Sequence, residues 1–86
     1  MKTVPVKAFP NPTVAGWVSF ELLNTDQHKD MQLHCFNIYG QQVHKEILYP
    51  HQGESRIDVH GWQAGIYMAV VYAEGMPVGR VKFIIQ

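Results

Sequence analysis

The sequence predicts an all-β protein: a single immunoglobulin-like antiparallel β-sandwich of about seven strands. Two observations carry this prediction. Hydrophobic residues recur with a period of two along most of the chain, and glycine or proline separates the alternating segments. No segment has the period of an amphipathic helix. The 86 residues suffice for one domain, and we expect residues 1–86 to form it, with the folded part at about 4–86.

Seven segments have the composition and length of strands. They lie at about residues 4–9, 17–22, 31–35, 42–47, 54–59, 66–72 and 78–85. Segment 42–47 is the most polar, so we expect it at the edge of a sheet. Segment 66–72 is apolar at almost every position, which predicts a central strand buried on both faces.

Alternation also predicts which side chains point inward. In the second segment, Val18, Phe20 and Leu22 share the core face, and Ser19 and Glu21 share the solvent face. In the last segment, the same rule predicts that Val81, Phe83 and Ile85 point into the core. Arg80 and Lys82 are predicted to point into solvent.

The turns define how neighbouring strands connect. Glu74 and Gly75 predict a short hairpin between the last two strands. Gly40 and Gly65 suit turns that need a positive φ, and Tyr67 is expected to bury its ring while its hydroxyl bonds to backbone, as in a tyrosine corner. We expect the polar strand 42–47 and the final strand to leave open edges, which makes a homodimer of the isolated domain feasible.

Composition excludes several classes of function. Seven basic and seven acidic residues give a net charge of zero, which lacks the basic footprint of a nucleic-acid binder. The longest apolar runs, residues 66–73 and 83–85, fall far short of the ~20 residues of a membrane helix. Residues 1–5 lack the apolar region of a signal peptide, so we expect a larger parent protein to carry any such address.

Catalytic groups are scarce. The two serines, Ser19 and Ser55, lie within predicted strands and outside any nucleophile-elbow motif. The single cysteine, Cys35, alternates inward with Leu33, which indicates a packing residue rather than a reactive thiolate. The acidic pairs Asp26–Asp30 and Glu54–Asp58 fall in a polar loop and on a solvated face. We therefore expect no enzyme activity and no cofactor.

Five histidines are the best metal-binding candidates. His34 and His44 are predicted to lie nearly opposite each other across a hairpin that turns at Gly40, close enough to share an ion. A zinc site needs three or four ligands, and spacing places no third ligand beside this pair. The favoured interpretation is two solvent-facing histidines and no metal site.

The two tryptophans leave two interpretations open. Trp17 begins a strand and Trp62 lies in a turn, so an exposed aromatic row could bind sugar rings. Each indole could equally cap the core, and in a domain of this size we favour capping.

Three sequence motifs and the last six residues follow one another along the chain and together form one pattern. They are Phe-Pro-Asn-Pro at 9–12, a strand and glycine turn at 33–43, Ile-Asp-Val-His-Gly-Trp-Gln-Ala-Gly-Ile-Tyr at 57–67, and Val-Lys-Phe-Ile-Ile-Gln at 81–86. Together they resemble the C-terminal sorting domain of the type IX (Por) secretion system, over roughly residues 4–86. The family usually has leucine at Trp62, aspartate at Asn37, and a terminal lysine or arginine where Gln86 stands.

This resemblance implies a passive signal. The domain would follow a cargo protein, which crosses the periplasm and an outer-membrane translocon to reach the cell surface or the medium. A sortase-like surface peptidase would then remove the domain, within or upstream of residues 1–7, and join the cargo to an anionic lipopolysaccharide. By resemblance, recognition by the translocon or the peptidase is assigned to Pro10, Asn11, Pro12, Gly40, Gly65, Tyr67, Val81, Lys82, Phe83, Ile84, Ile85 and Gln86.

Two other functions fit the same fold. One is a carbohydrate-binding or adhesion sandwich of a surface protein, which would use Trp17 or Trp62. The other is a spacer domain of a surface enzyme, with no recognition role.

Overall fold

A computed structural model describes residues 3–86 and confirms the all-β prediction. Seven strands alternate with turns, and a single 3₁₀ turn, Thr25–Gln27, lies in the predicted polar loop. The strands are β1 Val6–Phe9, β2 Trp17–Leu22, β3 Met31–Phe36, β4 Gln42–Leu48, β5 Glu54–Asp58, β6 Gly65–Ala73 and β7 Met76–Ile85. Most predicted bounds lie within two residues of these. The last two strands are longer than predicted because their hairpin is as tight as Glu74-Gly75 allows.

The strands form two antiparallel sheets. One has three strands in the order β1-β2-β5, and the other has four in the order β4-β3-β6-β7. The polar strand β4 lies at an edge and β6 lies inside the larger sheet, as the sequence predicts. The connections cross between sheets after β2, β4 and β5, which is how a sandwich encloses one core.

The core lies between the sheets and follows the predicted alternation. Phe20 of β2 and Phe83 of β7 are both fully buried and meet edge to face, with ring centroids 5.3 Å apart. Val81 is half-buried and Ile85 is buried on the same face as Phe83, whereas Arg80 and Lys82 are exposed. The alternation predicted for the last strand is therefore confirmed.

The prediction that β6 is buried on both faces is wrong. Its inward residues are buried, but Ile66 and Met68 on the other face are 48% and 37% exposed. Nothing in the described part of the chain lies over this face, because both sheets contribute only their inner faces to the core. The strand is apolar on a surface that the domain itself does not cover.

Ser19 departs from the predicted solvent face in the opposite way. It is fully buried, and its Oγ has no hydrogen-bond partner among the described residues. It lies in the middle strand of the smaller sheet, directly between Phe9 of β1 and Arg56 of β5. Two long neighbours on one face are enough to shield a short side chain.

The outer edge of β7 is not open, which corrects the second predicted free edge. The segment before β1 bonds to the start of β7, where the Val4 amide donates to the Val78 carbonyl at 2.8 Å. Near the other end, Thr13 forms a parallel bridge with Ile85. The amino-terminal segment therefore links the two sheets along this side.

On the opposite side, a side-chain bond links the sheets between β4 and β5. The Ser55 hydroxyl donates to Oε2 of Glu46 at 2.8 Å, and Oε1 of Glu46 lies 2.8 Å from Nε2 of His44. Both Glu46 and His44 lie on the inner face of the edge strand. Inward-pointing polar groups of this kind discourage pairing of an edge strand with another chain.

Candidate functional site at one pole of the sandwich

The residues that the sequence singled out converge at one end of the molecule. Strands β1, β3, β5 and β7 finish there, and β2 and β6 begin there, because all neighbouring strands are antiparallel. We call this end the motif pole and define it as residues 10–16, 37–41, 59–64 and 82–86. Segments that are more than 70 residues apart in the chain thus share one surface.

The proline motif contacts the last strand through Asn11. Its Nδ2 donates to the Lys82 carbonyl at 3.0 Å, and its Oδ1 accepts from the Ile84 amide at 3.0 Å. One side chain thereby satisfies a donor and an acceptor on the outer edge of β7. The flanking Pro10 and Pro12 have no amide hydrogen to offer, so the side chain of Asn11 supplies the pairing in place of the backbone.

Thr13 continues this contact and is a residue that the sequence analysis missed. It is fully buried, its amide donates to the Ile84 carbonyl at 2.8 Å, and its carbonyl accepts from the Gln86 amide at 3.0 Å. Its hydroxyl donates to the Trp17 carbonyl at 2.7 Å. No local period marks this role, because each main-chain partner in β7 lies about 70 residues away.

The second motif forms a turn that Asn37 closes. Its Oδ1 accepts from the Tyr39 amide at 2.9 Å and from the Gln41 amide at 3.0 Å. Gly40 has φ of +77°, the left-handed conformation predicted for it. The turn leaves Ile38 and Tyr39 67% and 80% exposed at the motif pole. Asparagine retains the side-chain acceptor that an aspartate would provide at position 37.

The third motif is organised by Tyr67. Its hydroxyl donates to the Gln63 carbonyl at 2.6 Å, which confirms the tyrosine-corner prediction. Its ring is buried, stacks on Phe83 with a centroid distance of 5.5 Å, and contacts Trp62 at 5.3 Å. Gly65 has φ of +155° where β6 begins. A groove of about 340 Å³ lies beside Trp62 and Gln63.

The structure sorts the predicted recognition residues by exposure. The exposed ones are Asn11, Pro12, Gly40, Lys82 and Gln86. The half-buried ones are Pro10, Gly65, Val81 and Ile84. The buried ones are Tyr67, Phe83 and Ile85. Only the side chains of the first two groups are accessible to a partner protein, and those of the buried group pack inside the domain.

The two tryptophans lie on different surfaces. Trp17 is on the outer face of the smaller sheet, where the Arg56 guanidinium lies 3.9 Å from its ring centroid. The prediction that it caps the core is therefore wrong. Trp62 does pack against the core, between Tyr67 and His44, as predicted. The two indoles do not form one row for a sugar.

His34 and His44 do not face each other. A β-bulge between Cys35 and Phe36 shifts the pairing by one residue, so His44 lies opposite Cys35 on the inner face and His34 lies opposite Lys45 on the outer face. A one-residue slip exchanges the faces of every side chain beyond it. No group of three or more potential metal ligands occurs within residues 3–86.

The remaining reactive groups are held in structural contacts. Burial, with a smaller contribution from the Glu46 carboxylate, raises the pKa of the Cys35 thiol to about 12. Ser55 bonds to the carboxylate of Glu46 and not to His44. Burial also lowers the pKa of His34, and the nearby Lys45 lowers it further. Asp26, Asp30, Glu54 and Asp58 are exposed as predicted.

The fold and its surface define the class of this protein. It is a small antiparallel β-sandwich whose motif residues form the motif pole and the final strand, β7, that supports it. The sequence model of the secretion system C-terminal sorting domain matches residues 7–86. The chain therefore belongs to the family of type IX secretion C-terminal sorting domains. That family is not a family of enzymes, and its members follow a cargo protein that is secreted or held at the cell surface.

No curated protein matches the chain. No helix within residues 3–86 is long and apolar enough to cross a membrane.

Proposed function

We propose that residues 1–86 act as one domain that carries a preceding cargo through the type IX outer-membrane translocon, and that the motif pole is the part the secretion machinery reads. One observation carries this proposal. The pole gathers all the family motifs, while the point where a cargo would join lies at the other end of the sandwich. Residue 4 bonds to Val78, at the start of β7, and β1 then runs toward the pole.

This arrangement leaves the pole accessible on a cargo-bearing protein. Residues 4 and 10 are the ends of a largely extended segment that spans about 20 Å, so a cargo attached ahead of residue 4 is held away from residues 10–16. Conspicuous exposed side chains, including Tyr39 and Ile38, lie at the end that a cargo leaves free. Aromatic side chains are enriched where proteins contact each other, which makes the adjacent Ile38 and Tyr39 the contact residues to test first.

The predicted recognition residues take two roles in this proposal. Asn11, Pro12, Gly40, Lys82 and Gln86 are exposed and would contact the machinery. Tyr67, Phe83 and Ile85 are buried and would fix the shape of the pole. Pro10, Gly65, Val81 and Ile84 are half-buried and lie between these groups.

The later steps concern the segment before β1. A sortase-like peptidase would remove the domain after export, and the cargo would be joined to an anionic lipopolysaccharide at the surface. Val4 is fully buried and its amide is hydrogen-bonded. Proteases require an extended and accessible backbone, so we place cleavage ahead of Val4 rather than within residues 4–7. Residues 1 and 2, which belong to the predicted cleavage region, lie outside the described part.

An export assay with surface variants of the pole tests this proposal. The domain would follow a periplasmic fluorescent reporter in type IX-competent cells, either unchanged or with Ile38→Ser and Tyr39→Ser together. The matched control is Leu23→Ser with Tyr49→Ser, which removes an exposed apolar and an exposed aromatic side chain at the opposite end. We expect the pole variant to lose most of its export and the control to keep it.

Equal export of both double variants would contradict a reading site on this turn. A truncation that removes residues 81–86 is less informative, because it deletes the fully buried Phe83 and so unfolds the domain as well as removing a signal. Unfolding measurements on both double variants show that any difference in export comes from the surface.

A further inference from the structure

The larger sheet exposes an apolar face that the domain leaves uncovered. We call it the outer sheet face: the side of β4-β3-β6-β7 that points away from the smaller sheet. Its apolar members come from all four strands and include Phe36, Ile47, Ile66, Met68, Val70 and Ile84. The exposed fraction is 63% for Ile47, 48% for Ile66 and 37% for Met68.

These residues form neighbouring rows rather than isolated contacts. Met68 lies between Phe36 and Lys82 across the strands, and Val70 lies between His34 and Arg80. Four strands about 4.8 Å apart, each about six residues long, make a face of roughly 400 Å², which includes the polar side chains that lie among the apolar ones. A sheet face on which exposed apolar side chains recur on every strand is often an interaction site.

All the acidic residues of the chain lie elsewhere. Lys45, Arg80 and Lys82 are on this face, and none of the seven aspartates and glutamates shares it. The outer face of the smaller sheet is different, because Glu21, Glu54 and Asp58 accompany its two cations. A chain with no net charge therefore has one sheet face that is both apolar and positive.

We propose that the outer sheet face docks onto a protein of the type IX secretion machinery, at an apolar surface that carries carboxylates. The proposal rests on the proposed sorting function and adds the chemistry of the partner. Lys82 joins this face to the motif pole, so one contact spans both. Cations at the rim of an apolar patch increase the association rate with an acidic partner, and burial of the apolar rows provides the affinity.

Two other occupants fit the face less well. A second copy of the domain would pair two faces that each carry three cations and no carboxylate, and like charges facing each other oppose association. A membrane favours apolar side chains that project from a tip or from one face of a helix, whereas these rows lie flat across pleated strands. The face is about half the ~800 Å² that each partner buries in a standard interface, which suits a transient contact during export.

The first test reverses charge on the face. Arg80→Glu with Lys82→Glu would be compared with Lys7→Glu and Lys29→Glu, two exposed cations elsewhere on the domain. In the reporter fusion we expect the exported fraction to fall at least tenfold for the face variant and less than twofold for the control. Chemical unfolding of each purified variant verifies that both are folded.

The second test identifies what covers the face. A photo-crosslinking amino acid would replace Met68 in the full fusion, and Glu21 on the other sheet would serve as the control position. We expect position 68, and not position 21, to form an adduct with a component of the secretion machinery, and Arg80→Glu with Lys82→Glu to reduce it. No adduct at position 68, equal adducts at both positions, or an adduct with a second copy would overturn the proposal.

A further outcome separates the membrane from a protein partner. Binding of the purified domain to phosphatidylglycerol vesicles, abolished by Arg80→Glu with Lys82→Glu, would overturn docking onto a protein. Export of the unchanged and the face-substituted fusions alike would overturn only the docking face. Retention of the unchanged fusion in competent cells would overturn the sorting function and this proposal with it.

Discussion

Asn11 and Lys82, 71 positions apart in the chain, are joined by a bond from the Asn11 side-chain amide to the Lys82 carbonyl at 3.0 Å. The same side chain accepts from the Ile84 amide, so it acts as a short substitute for a neighbouring strand. The proline motif and the final strand are thus two parts of one structure. An exposed side chain at the motif pole also protects the edge of β7.

Asn11→Ala removes both of these bonds. A hydrogen bond contributes about 0.5–1.5 kcal/mol, and water replaces part of it at an exposed site, so we expect a loss of about 1 kcal/mol in the free energy of unfolding. Urea denaturation measures this loss. Gln27→Ala is the control, since among the described residues the side chain of Gln27 bonds only to its neighbour Asp26, at 3.3 Å. Equal stability of the two variants would contradict the role of Asn11.

Gly79→Ala tests the contact between the amino-terminal segment and β7. A Cβ at position 79 would clash with the Val4 carbonyl oxygen, so the segment must move. Overpacking of this kind costs about 1–3 kcal/mol, and we expect a loss in that range together with faster proteolysis near residue 4. Gly53→Ala is the matched control, because a Cβ there meets nothing within 4 Å. Similar stability and proteolysis in the two variants would refute this close approach.

Cys35 should be unreactive in the folded domain. With a pKa of about 12, only about one thiol in ten thousand is a thiolate at pH 8. We expect a thiol reagent to label the native protein slowly, at a rate set by unfolding, and to label it fully in urea. The chain in denaturant is its own control, since it contains the same single cysteine. Labelling of native protein at the rate of a free thiol would show that the residue is accessible.

His34 should make stability depend on pH. Burial and then Lys45 lower its pKa in the folded state, so between that lower value and the ordinary value of 6.5 the unfolded chain binds more protons. The stabilising contribution is complete above the unfolded pKa and decreases as pH falls toward the folded pKa. We expect His34→Gln to lose less stability between pH 7.5 and 5.5 than the unchanged protein. His60→Gln, at an exposed histidine, is the control, and identical losses in all three proteins would exclude this effect.

Much of the fold follows from local alternation. Residues 18, 20 and 22 face the core as predicted because a strand places alternate side chains on opposite faces, and the polar β4 lies at an edge as its composition indicates. Tyr67 bonds to backbone a few residues upstream, which is a local contact that the sequence also indicates.

The failures have physical causes that the local pattern does not contain. The sequence of β6 is the same whether its second apolar face is covered by this chain or by a partner. The prediction that the domain itself buries both faces of β6 is therefore wrong. The bulge beside Cys35 shifts the pairing of β3 and β4 by one residue, which places His44 on the opposite face of the sheet from His34. The role of Thr13 depends on hydrogen-bond partners about 70 residues away, which no local pattern indicates. The close approach of the chain at Gly79 does have a local signal, because a glycine within a strand often marks a close backbone approach.

The most direct test of the central claim is the location of the reporter when the complete domain follows it. Its surface and medium fractions would be measured in type IX-competent cells and in otherwise identical cells without the translocon. We predict export of the full fusion in the competent cells alone, with the reporter lacking the domain retained in both. Retention of the full fusion in competent cells, while a second sorting domain exports the same reporter, would contradict a sorting function for this chain.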